Sequence, residues 1–230
     1  MPIRLICTDI DGTLTTRDGA ALHLEAIRAV RRAQRAGLLV SLVSGRPLPW
    51  VLATAAALGS RGPLVAENGG VVYWPGRGLE LLGDRKVALA ALELLRGLPD
   101  WREEMLAPDN PWRLTDCTVE LGWDVAWLNS LFAQRSLPAL ATASGIMLHL
   151  HHREVDKGTA LAALRRGLGL RRPQVMAIGD SGNDLAMLLA AGRAVCVDHC
   201  PQAAAHGIPR TQARAGAGAA EAIRALLKAG

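Results

Sequence analysis

The 230-residue sequence is poor in cysteine and in aromatic residues other than tryptophan: it has four cysteines, one tyrosine, one phenylalanine and six tryptophans. These cysteines are too few for a small domain stabilised by disulfides, and they include no Cys-x-x-Cys pair. We therefore expect four buried free thiols. A redox or metal-binding pair at Cys196 and Cys200 is the alternative.

Long uncharged segments suited to a membrane are also missing. The longest stretch without Lys, Arg, Asp or Glu runs from Ser136 to His152, and it contains Pro138, Gly145 and three histidines. Too few residues precede Asp9 to form the apolar region of a signal peptide. We expect a cytoplasmic protein without a membrane partner.

Positive charge is in modest excess, with a formal net charge of +5, and only three of the 26 basic residues are lysines. The densest basic run falls on one face of a predicted helix, at Arg28, Arg31, Arg32 and Arg35. We interpret this run as a solvent-exposed face, with a contact to a nucleic-acid backbone as the alternative. We expect no nucleic-acid partner.

Half of the residues are hydrophobic, which suffices for a substantial core in a chain of this length. Short apolar runs alternate with segments of helical periodicity near both ends of the chain. We predict strands at residues 3–8, 38–43, 64–66, 174–178 and 194–197, and helices at residues 23–36, 47–58, 158–168, 184–190 and 221–228. This alternation predicts an α/β fold with a Rossmann-like parallel sheet and helices on both of its faces.

The middle of the chain departs from this alternation. A helix is predicted at residues 87–95, strands near 102–106 and 113–121, a second helix at 124–134, and strands at 139–143 and 146–151. Four of the six tryptophans lie in this αββαββ pattern. We interpret residues 86–152 as an inserted α+β cap domain, and residues 1–85 and 153–230 as the core.

Two carboxylates follow the first predicted strand, in Asp9-Ile10-Asp11-Gly12-Thr13. Functional groups gather at the carboxyl ends of the strands in an open parallel sheet. In an extended segment Asp9 and Asp11 point the same way, and Gly12 lets a ligand approach the backbone. One carboxylate could attack a phosphorus atom while the other transfers protons. A solvated turn is the alternative.

Two further positions suit a phosphate group. Ser44-Gly45-Arg46 ends the second predicted strand, where a hydroxyl and backbone amides can contact a phosphate oxygen, although Ser-Gly is also a common turn. Lys157 lies where the insert returns to the core, and an ammonium group there would neutralise a phosphate. A surface lysine is the alternative.

A last polar segment, Gly179-Asp180-Ser181-Gly182-Asn183-Asp184, follows the predicted strand at 174–178. Asp180 and Asp184 supply the hard oxygen ligands that Mg²⁺ prefers. A helix N-cap at Asn183 or Asp184 is the structural alternative.

In this order the four segments resemble the motifs of the haloacid dehalogenase superfamily of phosphatases. The resemblance implies that Asp9 is the nucleophile, that Asp11 is the general acid and base, and that Ser44 and Lys157 hold the phosphate. It also implies a Mg²⁺ ion held by Asp180 and Asp184 with Asp9, and we include Asp11 in that ligand set. The substrate is expected to contact Gly12, Gly45, Arg46, Asn68, Lys157 and Asn183.

The position of the cap in the chain indicates which branch of this superfamily the sequence resembles. Only 33 residue numbers separate Asp11 from Ser44, whereas 113 separate Ser44 from Lys157, so the cap follows the second motif. Residues 42–49 and 62–70 are most similar to phosphoglycolate phosphatases of archaeal type, although Arg46 departs from the asparagine usual there. This similarity implies that the substrate is a small phosphorylated metabolite, 2-phosphoglycolate.

Other functions stay open from the sequence. A sugar-phosphate phosphatase, such as one that resembles sucrose-phosphate phosphatase, or a phosphomutase would share the fold. A phosphorylation-switched binding module would also carry an acceptor aspartate, but Asp11 argues against it because a second carboxylate that activates water shortens the life of an acyl phosphate. A monomer and a homodimer are both compatible with the sequence.

Four residues outside the motifs are candidates for contacts with substrate or cap. Glu67 and Asn68 follow a predicted strand, and Asn68-Gly69 is alternatively a simple turn. His149 and His151 share one face of a predicted strand. We expect the two histidines to pack between cap and core or to face the substrate, and not to bind metal.

Overall fold

The computed structural model describes residues 1–19 and 21–229. Its strands are β1 (Leu5–Thr8), β2 (Leu39–Leu42), β3 (Leu64–Ala66), β4 (Val71–Trp74), β5 (Gly78–Leu81), β6 (Cys117–Val119), β7 (Ala139–Ala143), β8 (Leu148–His152), β9 (Val175–Gly179) and β10 (Arg193–Cys196). Its helices are α1 (Leu24–Arg35), α2 (Leu48–Leu58), α3 (Arg85–Arg96), α4 (Val125–Gln134), α5 (Lys157–Gly167), α6 (Leu185–Ala190), α7 (Pro201–Ala205) and α8 (Ala215–Ala229).

The core is a parallel sheet with strand order β10-β9-β1-β2. The register pairs Leu5 of β1 with Leu39 on one side and with Val175 on the other. A single parallel bridge between Val43 and Val65 connects β2 to β3, and β3 begins an antiparallel sheet with β4 and β5. The carboxyl ends of β1, β2 and β9 therefore face the same edge, as the predicted α/β fold requires.

Helices cover both faces of the core sheet. One face packs against α1, α2 and α8 through buried residues such as Val30, Val51 and Ile223. The other packs against α5 and α6, with Leu161 and Leu188 among the buried residues. Each sheet face thus has its own apolar layer, which confirms the predicted fold class.

Aspartate caps begin three of the helices. Asp84, Asp124 and Asp156 precede α3, α4 and α5. The carboxylates of Asp84 and Asp156 each accept a hydrogen bond from one backbone amide of the first turn, and that of Asp124 accepts from two. At α5 the side chain of Thr159 also bonds back to the backbone amide of Asp156, which completes a capping box. This double contact fixes the position at which α5 begins, and its first residue is Lys157.

The cap contains a third, separate apolar cluster. Helices α3 and α4 pack on an antiparallel sheet of order β6-β8-β7 through buried side chains that include Leu95, Leu128, Phe132 and Leu150. This cluster draws only on residues between 87 and 150. The division of the chain at residues 86 and 152 stays a prediction.

Part of the predicted cap secondary structure was wrong. Residues 103–105 and 110–112 form 3₁₀ turns, β6 has only three residues, and the predicted strand near 102–106 is reduced to one bridge between Leu106 and Val119. The side chain of Asn110 bonds to both the amide and the carbonyl of Thr118, so it occupies groups that a neighbouring strand would use.

Two features of the core were missed or shortened in the prediction. The β4–β5 hairpin was not predicted, although Val71, Val72, Tyr73 and Trp74 form an apolar run before Pro75-Gly76. The last helix begins at Ala215 instead of near 221. Its glycine at 216 allows close packing, because a Cβ atom there would lie 2.1 Å from the Cβ of His23.

The remaining expectations concern the cysteines, the basic face of α1 and membrane-spanning helices. All four cysteines are buried free thiols, and burial raises the pKa of Cys7 to about 12 and that of Cys196 to about 11. The four arginines of α1 are exposed, and Arg31 donates to the carbonyls of Ala57 and Leu58 at the end of α2. No helix in the described part of the chain is long and apolar enough to cross a membrane.

The cap core provides a stability prediction. Phe132 is fully buried in the cap cluster, so Phe132→Ala should lower the free energy of unfolding by about 3–5 kcal/mol through lost burial and a cavity. Trp127→Ala on the same helix, where the side chain is 47% exposed, is the control and should change it by less than about 1 kcal/mol. Urea unfolding followed by circular dichroism measures both, and equal effects would contradict the assigned cap core.

Candidate active site

The first carboxylate lies directly at the carboxyl end of β1. Asp9 is buried, and its amide donates to the carbonyl of Ile178 on the neighbouring strand β9. The chain then turns at Gly12, which has a φ of 77°. A Cβ atom at Gly12 would lie 2.5 Å from an Asp180 carboxylate oxygen, so a residue without a side chain is needed for β1 and β9 to bring their loops together.

Lys157 connects two buried carboxylates. Its Nζ donates to Asp9 Oδ1 and to Asp184 Oδ1, both at 2.6 Å, and its side chain is 1% exposed. Burial alone would lower the pKa of Lys157, but the carboxylates of Asp184 and Asp9 outweigh burial and raise this pKa. The ammonium group therefore stays charged and neutralises part of the negative charge around it.

Asp9, Asp180 and Asp184 form an acidic cluster whose carboxylate oxygens lie within 4.8 Å of one another. Burial, with repulsion from Asp184 and Asp180, raises the pKa of Asp9 despite the attraction of Lys157. Burial and the charge of Asp184 raise the pKa of Asp180 to about 7. Three carboxylates against one ammonium leave a net charge of −2 when all are ionised.

The acidic cluster fits a divalent cation. Its donors are carboxylate oxygens, the ligand type that Mg²⁺ prefers, and one such ion would balance the charge of −2 that the ionised cluster carries. Asp184 is itself held in place, because its Oδ2 accepts hydrogen bonds from the amides of Asp180 and Ser181. Thr13 donates to Asp180 Oδ1 at 2.9 Å. Asp9, Asp180 and Asp184 are therefore the residues that could hold a metal.

Asp11 takes a different position from the one expected of a metal ligand. Its two carboxylate oxygens accept hydrogen bonds from Arg46, from Nε at 3.1 Å and from Nη2 at 3.0 Å. The Arg46 guanidinium also lies 5.0 Å from the centre of the Trp50 ring. The Asp11 carboxylate thus faces Arg46 and is not a member of the acidic cluster.

The loop of Ser44, Gly45 and Arg46 is held by its carbonyl groups. Asn68 N donates to Ser44 O, Glu67 N to Arg46 O, and Arg113 Nη1 of the cap to Gly45 O, at 3.0–3.1 Å. Ser44 is buried, and its Oγ accepts from the amide of Arg46. Contacts from both core and cap therefore fix this loop beside the acidic cluster.

Glu67 joins the core to the cap. Its buried carboxylate accepts hydrogen bonds from the amides of Leu114, Thr115 and Asp116 at 2.6–3.1 Å and from the Thr115 hydroxyl at 2.7 Å. Burial, together with the nearby charge of Asp116, raises the pKa of Glu67. Glu67 and its neighbour Asn68 both have positive φ angles, 53° and 52°, which few non-glycine residues adopt.

A cavity of about 420 Å³ lies between the core and the cap. The core lines it with residues that the sequence singled out, namely Asp9, Asp11, Gly12, Gly45, Arg46, Asp180 and Asn183. The cap contributes Asp109, Arg113, Ser144, Met147 and His149, of which only His149 was considered from the sequence. The opposite charges of Asp109, Arg113 and Asp116, three and four residues apart, were a signal in the sequence for a buried ion pair. No sequence pattern distinguished Ser144.

Three further residues that were predicted to contact the substrate line this cavity or a neighbouring one: Asn68, Lys157 and Asn183. Asn183 accepts a hydrogen bond from the Ser181 hydroxyl at 2.6 Å. Asn68 and Lys157 line a neighbouring cavity of about 630 Å³ together with His151, and the two cavities share Ser144 and Asn183. His151 pairs with the Thr142 hydroxyl, and burial lowers its pKa. Neither histidine belongs to the acidic cluster.

The chain is similar in sequence to a known enzyme family and to individual members of it. The chain matches the haloacid dehalogenase-like hydrolase family over residues 6–81 and 125–207. It is 35% identical over 226 residues to a phosphoglycolate phosphatase of Methanothermobacter thermautotrophicus, covering 98% of this chain and 99% of the other. It is 36% identical to a phosphoglycolate phosphatase of Haloarcula marismortui, with 95% of each chain covered.

Solved structures show the same fold. A crystal structure of a Thermoplasma acidophilum protein superposes with a TM-score of 0.89 at 27% identity and covers 99% of both chains. A sucrose-phosphatase from Synechocystis, solved with sucrose and phosphate, superposes with a TM-score of 0.71 at 19% identity, with 98% of both chains covered.

The Lys157 contacts predict strong coupling within the acidic cluster. Lys157→Met leaves Asp9 and Asp184 buried without their cation, so it should lower the free energy of unfolding by about 3–5 kcal/mol. Adding Asp184→Asn should recover part of this loss, because it removes one of the two uncompensated charges.

Urea unfolding in the presence of a metal chelator measures the coupling between Lys157 and Asp184 without a contribution from bound metal. Lys86→Met is the matched control, because Lys86 is exposed, and it should leave stability nearly unchanged. Additive losses in the double variant would show that Lys157 does not balance Asp184.

Proposed function

This chain belongs to the family of haloacid dehalogenase-like hydrolases and is a phosphoric monoester hydrolase, and we propose that it is a Mg²⁺-dependent phosphatase of 2-phosphoglycolate. The observation that carries the proposal is the cluster of Asp9, Asp180, Asp184 and Lys157, of which Asp9 and Asp180 line the cavity between core and cap. Family membership sets aside the phosphorylation-switched binding module.

Asp9 is the proposed nucleophile. It is the carboxylate at the end of the central strand β1, it lines the cavity, and Lys157 Nζ holds its Oδ1 at 2.6 Å. This contact fixes the rotamer, so the other oxygen can be directed at a phosphorus atom. Attack forms a bond from Asp9 to phosphorus as the ester oxygen leaves, and water later hydrolyses this aspartyl phosphate to free phosphate.

Asp11 is the proposed general acid and base. Two residues after the nucleophile, it lines the same cavity, so its carboxyl can protonate the departing oxygen and then take a proton from the attacking water. In the structure Arg46 holds both of its oxygens. Proton transfer requires at least one of these hydrogen bonds to open, and Arg46 is then available to contact the substrate.

Ser44, Gly45 and Lys157 are proposed to hold the phosphate. The loop that carries Ser44 is fixed through its three carbonyls, and Lys157 supplies a positive charge beside Asp9. A rigid polar loop next to a cation suits a group whose negative charge must be stabilised as the bond to phosphorus changes.

Asp9, Asp180 and Asp184 would hold Mg²⁺. A bound Mg²⁺ supplies charge that reduces repulsion between the phosphate and the acidic cluster and polarises the phosphoryl group. Asn183 and Thr13 are proposed as orienting residues, since Thr13 donates to Asp180 and Asn183 accepts from Ser181 in the same loop.

The choice of 2-phosphoglycolate rests on relatives. Full-length relatives from several archaea at 34–36% identity are named phosphoglycolate phosphatase, and this chain covers at least 95% of each. The likeness to the sucrose-phosphatase, at 19% identity, shows a shared fold alone. A sugar phosphate is therefore the second candidate substrate, behind 2-phosphoglycolate.

Phosphate release with and without Mg²⁺ tests the function. We expect Mg²⁺-dependent release from 2-phosphoglycolate at a higher kcat/KM than from sugar phosphates or nucleotides. Asp9→Asn removes the nucleophilic oxygen and should lower turnover at least about 1,000-fold while the circular dichroism spectrum is retained.

The matched control is Asp100→Asn, at an exposed position in the cap, and it should keep full activity. Near-normal turnover of Asp9→Asn would reject the assigned nucleophile. A preference of the unmodified enzyme for sugar phosphates would reject the substrate while leaving the phosphatase assignment intact.

A further inference from the structure

Three cap side chains are hydrogen-bonded in series, and two of them, His149 and Ser144, line the cavity. Asp116, just before β6, has its Oδ2 2.9 Å from Nδ1 of His149 on β8. His149 Nε2 lies 3.2 Å from Oγ of Ser144, in the turn between β7 and β8. Asp116 and His149 are buried, while Ser144 is partly exposed to the cavity. A carboxylate, an imidazole and a hydroxyl in this order form a chain that orients the hydroxyl.

The Ser144 hydroxyl is suited to binding. Its Oγ also lies 3.1 Å from the Met147 carbonyl and 3.3 Å from the Met147 amide, so the turn and His149 hold it from several sides. A side chain with one fixed position loses little freedom when it contacts a ligand.

The inner end of this chain is tied to the phosphate-binding loop. Arg113 Nη1 bonds to Asp116 at 2.8 Å and to the Gly45 carbonyl at 3.1 Å. The His149 ring lies against the same residue, because a Cβ atom at Gly45 would be 3.2 Å from His149 Cε1. Ser144 is therefore positioned relative to the loop that is proposed to hold the phosphate.

On the core side, Asn68 has a buried amide that lacks a partner. The residue is 6% exposed, and neither Oδ1 nor Nδ2 has a hydrogen-bond partner among the described residues. Both atoms abut Gly45, at 3.0 and 3.1 Å from the position of a Cβ atom there. A buried amide without a partner is costly, and a ligand group that bonds to it would explain its presence.

Asn68 and Ser144 approach the phosphate loop from opposite domains. They line the same cavity, and Ser144 also lines the cavity that contains Asp9. Asn68 Nδ2 has no acceptor among the described residues and can donate. Ser144 Oγ can donate when its one hydrogen turns from its present acceptor, the Met147 carbonyl or His149 Nε2, to a ligand. Two such donors suit an acceptor with two oxygens. Asn68 abuts Gly45, and Ser144 bonds to the His149 ring that abuts it, which suits a leaving group only two carbons long whose acidic group stays close to the phosphate.

We propose that Asn68 and Ser144 form the subsite for the carboxylate of the substrate, and that His149 and Asp116 are positioning residues for Ser144. This inference rests on the proposed function, because the carboxylate is that of 2-phosphoglycolate. Asn68 and Ser144 each donate one hydrogen bond to it, and the Asp116–His149 pair keeps Ser144 in place. The cap thereby selects an acidic leaving group.

The test compares two substrates of similar size that differ at the carboxylate, 2-phosphoglycolate and 2-hydroxyethyl phosphate, with the full-length enzyme. Ser144→Ala and Asn68→Gly should each lower kcat/KM for 2-phosphoglycolate about 10- to 100-fold, the loss expected for one hydrogen bond to a charged group. The change with 2-hydroxyethyl phosphate should stay within about threefold. Glycine at 68 tolerates the positive φ, so the substitution removes the amide without strain.

His149→Gln tests the positioning role and should shift the substrate ratio in the same direction, by about 3- to 10-fold. Ser130→Ala is the matched control, because its hydroxyl bonds to Ala126 within α4 on an exposed surface, and the ratio should not change.

The outcomes separate this inference from the proposed function. If the unmodified enzyme does not hydrolyse 2-phosphoglycolate, the proposed function fails. If it does, and Ser144→Ala and Asn68→Gly affect both substrates equally or neither, the carboxylate subsite is rejected while the function stands. A selective loss with 2-phosphoglycolate supports the subsite.

Discussion

The ammonium group of Lys157, held between two buried carboxylates, is the interaction on which the arrangement of this site depends. Asp9, Asp180 and Asp184 come from the segments that follow β1 and β9. Asp9 and Asp184 are buried and Asp180 is partly buried, and this arrangement would be strongly unfavourable without a compensating cation. Lys157 supplies one positive charge at 2.6 Å from two of them, and the capping box at Asp156 fixes where it starts α5. When all three carboxylates are ionised a charge of −2 remains, and this remainder makes the cluster suited to a divalent cation and to a phosphate beside it.

The second constraint is that the cap and the phosphate loop hold each other in position. Glu67 accepts four hydrogen bonds from cap residues 114–116, and Arg113 of the cap bonds to the carbonyl of Gly45. Gly45 and Arg113 line the cavity that contains Asp9, and Asn68, next to Glu67, lines the neighbouring cavity. The cap is therefore attached to the core close to the reacting groups. The positive φ angles at Glu67 and Asn68 are a local conformational cost that these contacts offset.

The core and its acidic residues were predictable because strand ends in a parallel sheet meet at one edge. Asp9, Asp180 and Asp184 were selected on that basis, and Lys157 was selected because it lies where the insert returns to the core. The structure brings the four side chains into one cluster. The pairing of Asp11 with Arg46 was not predictable, because it depends on side-chain rotamers and not on periodicity. The cap was harder to predict, since Asn110 uses its side chain in place of a strand, and Ser144 lies in a turn without a recurring pattern.

The central claim is that the carboxylate at the end of β1 becomes covalently phosphorylated. Asp11→Asn, which slows hydrolysis of the acyl phosphate, can be mixed with 4-nitrophenyl phosphate and Mg²⁺, because this activated ester needs little acid assistance. Borohydride reduction followed by peptide mass spectrometry then locates the acyl phosphate as a reduced residue. The account predicts that the modification lies at Asp9 and that it is absent in Asp9→Asn. Modification at another residue, or turnover without any trapped phosphate on Asp9, would contradict it.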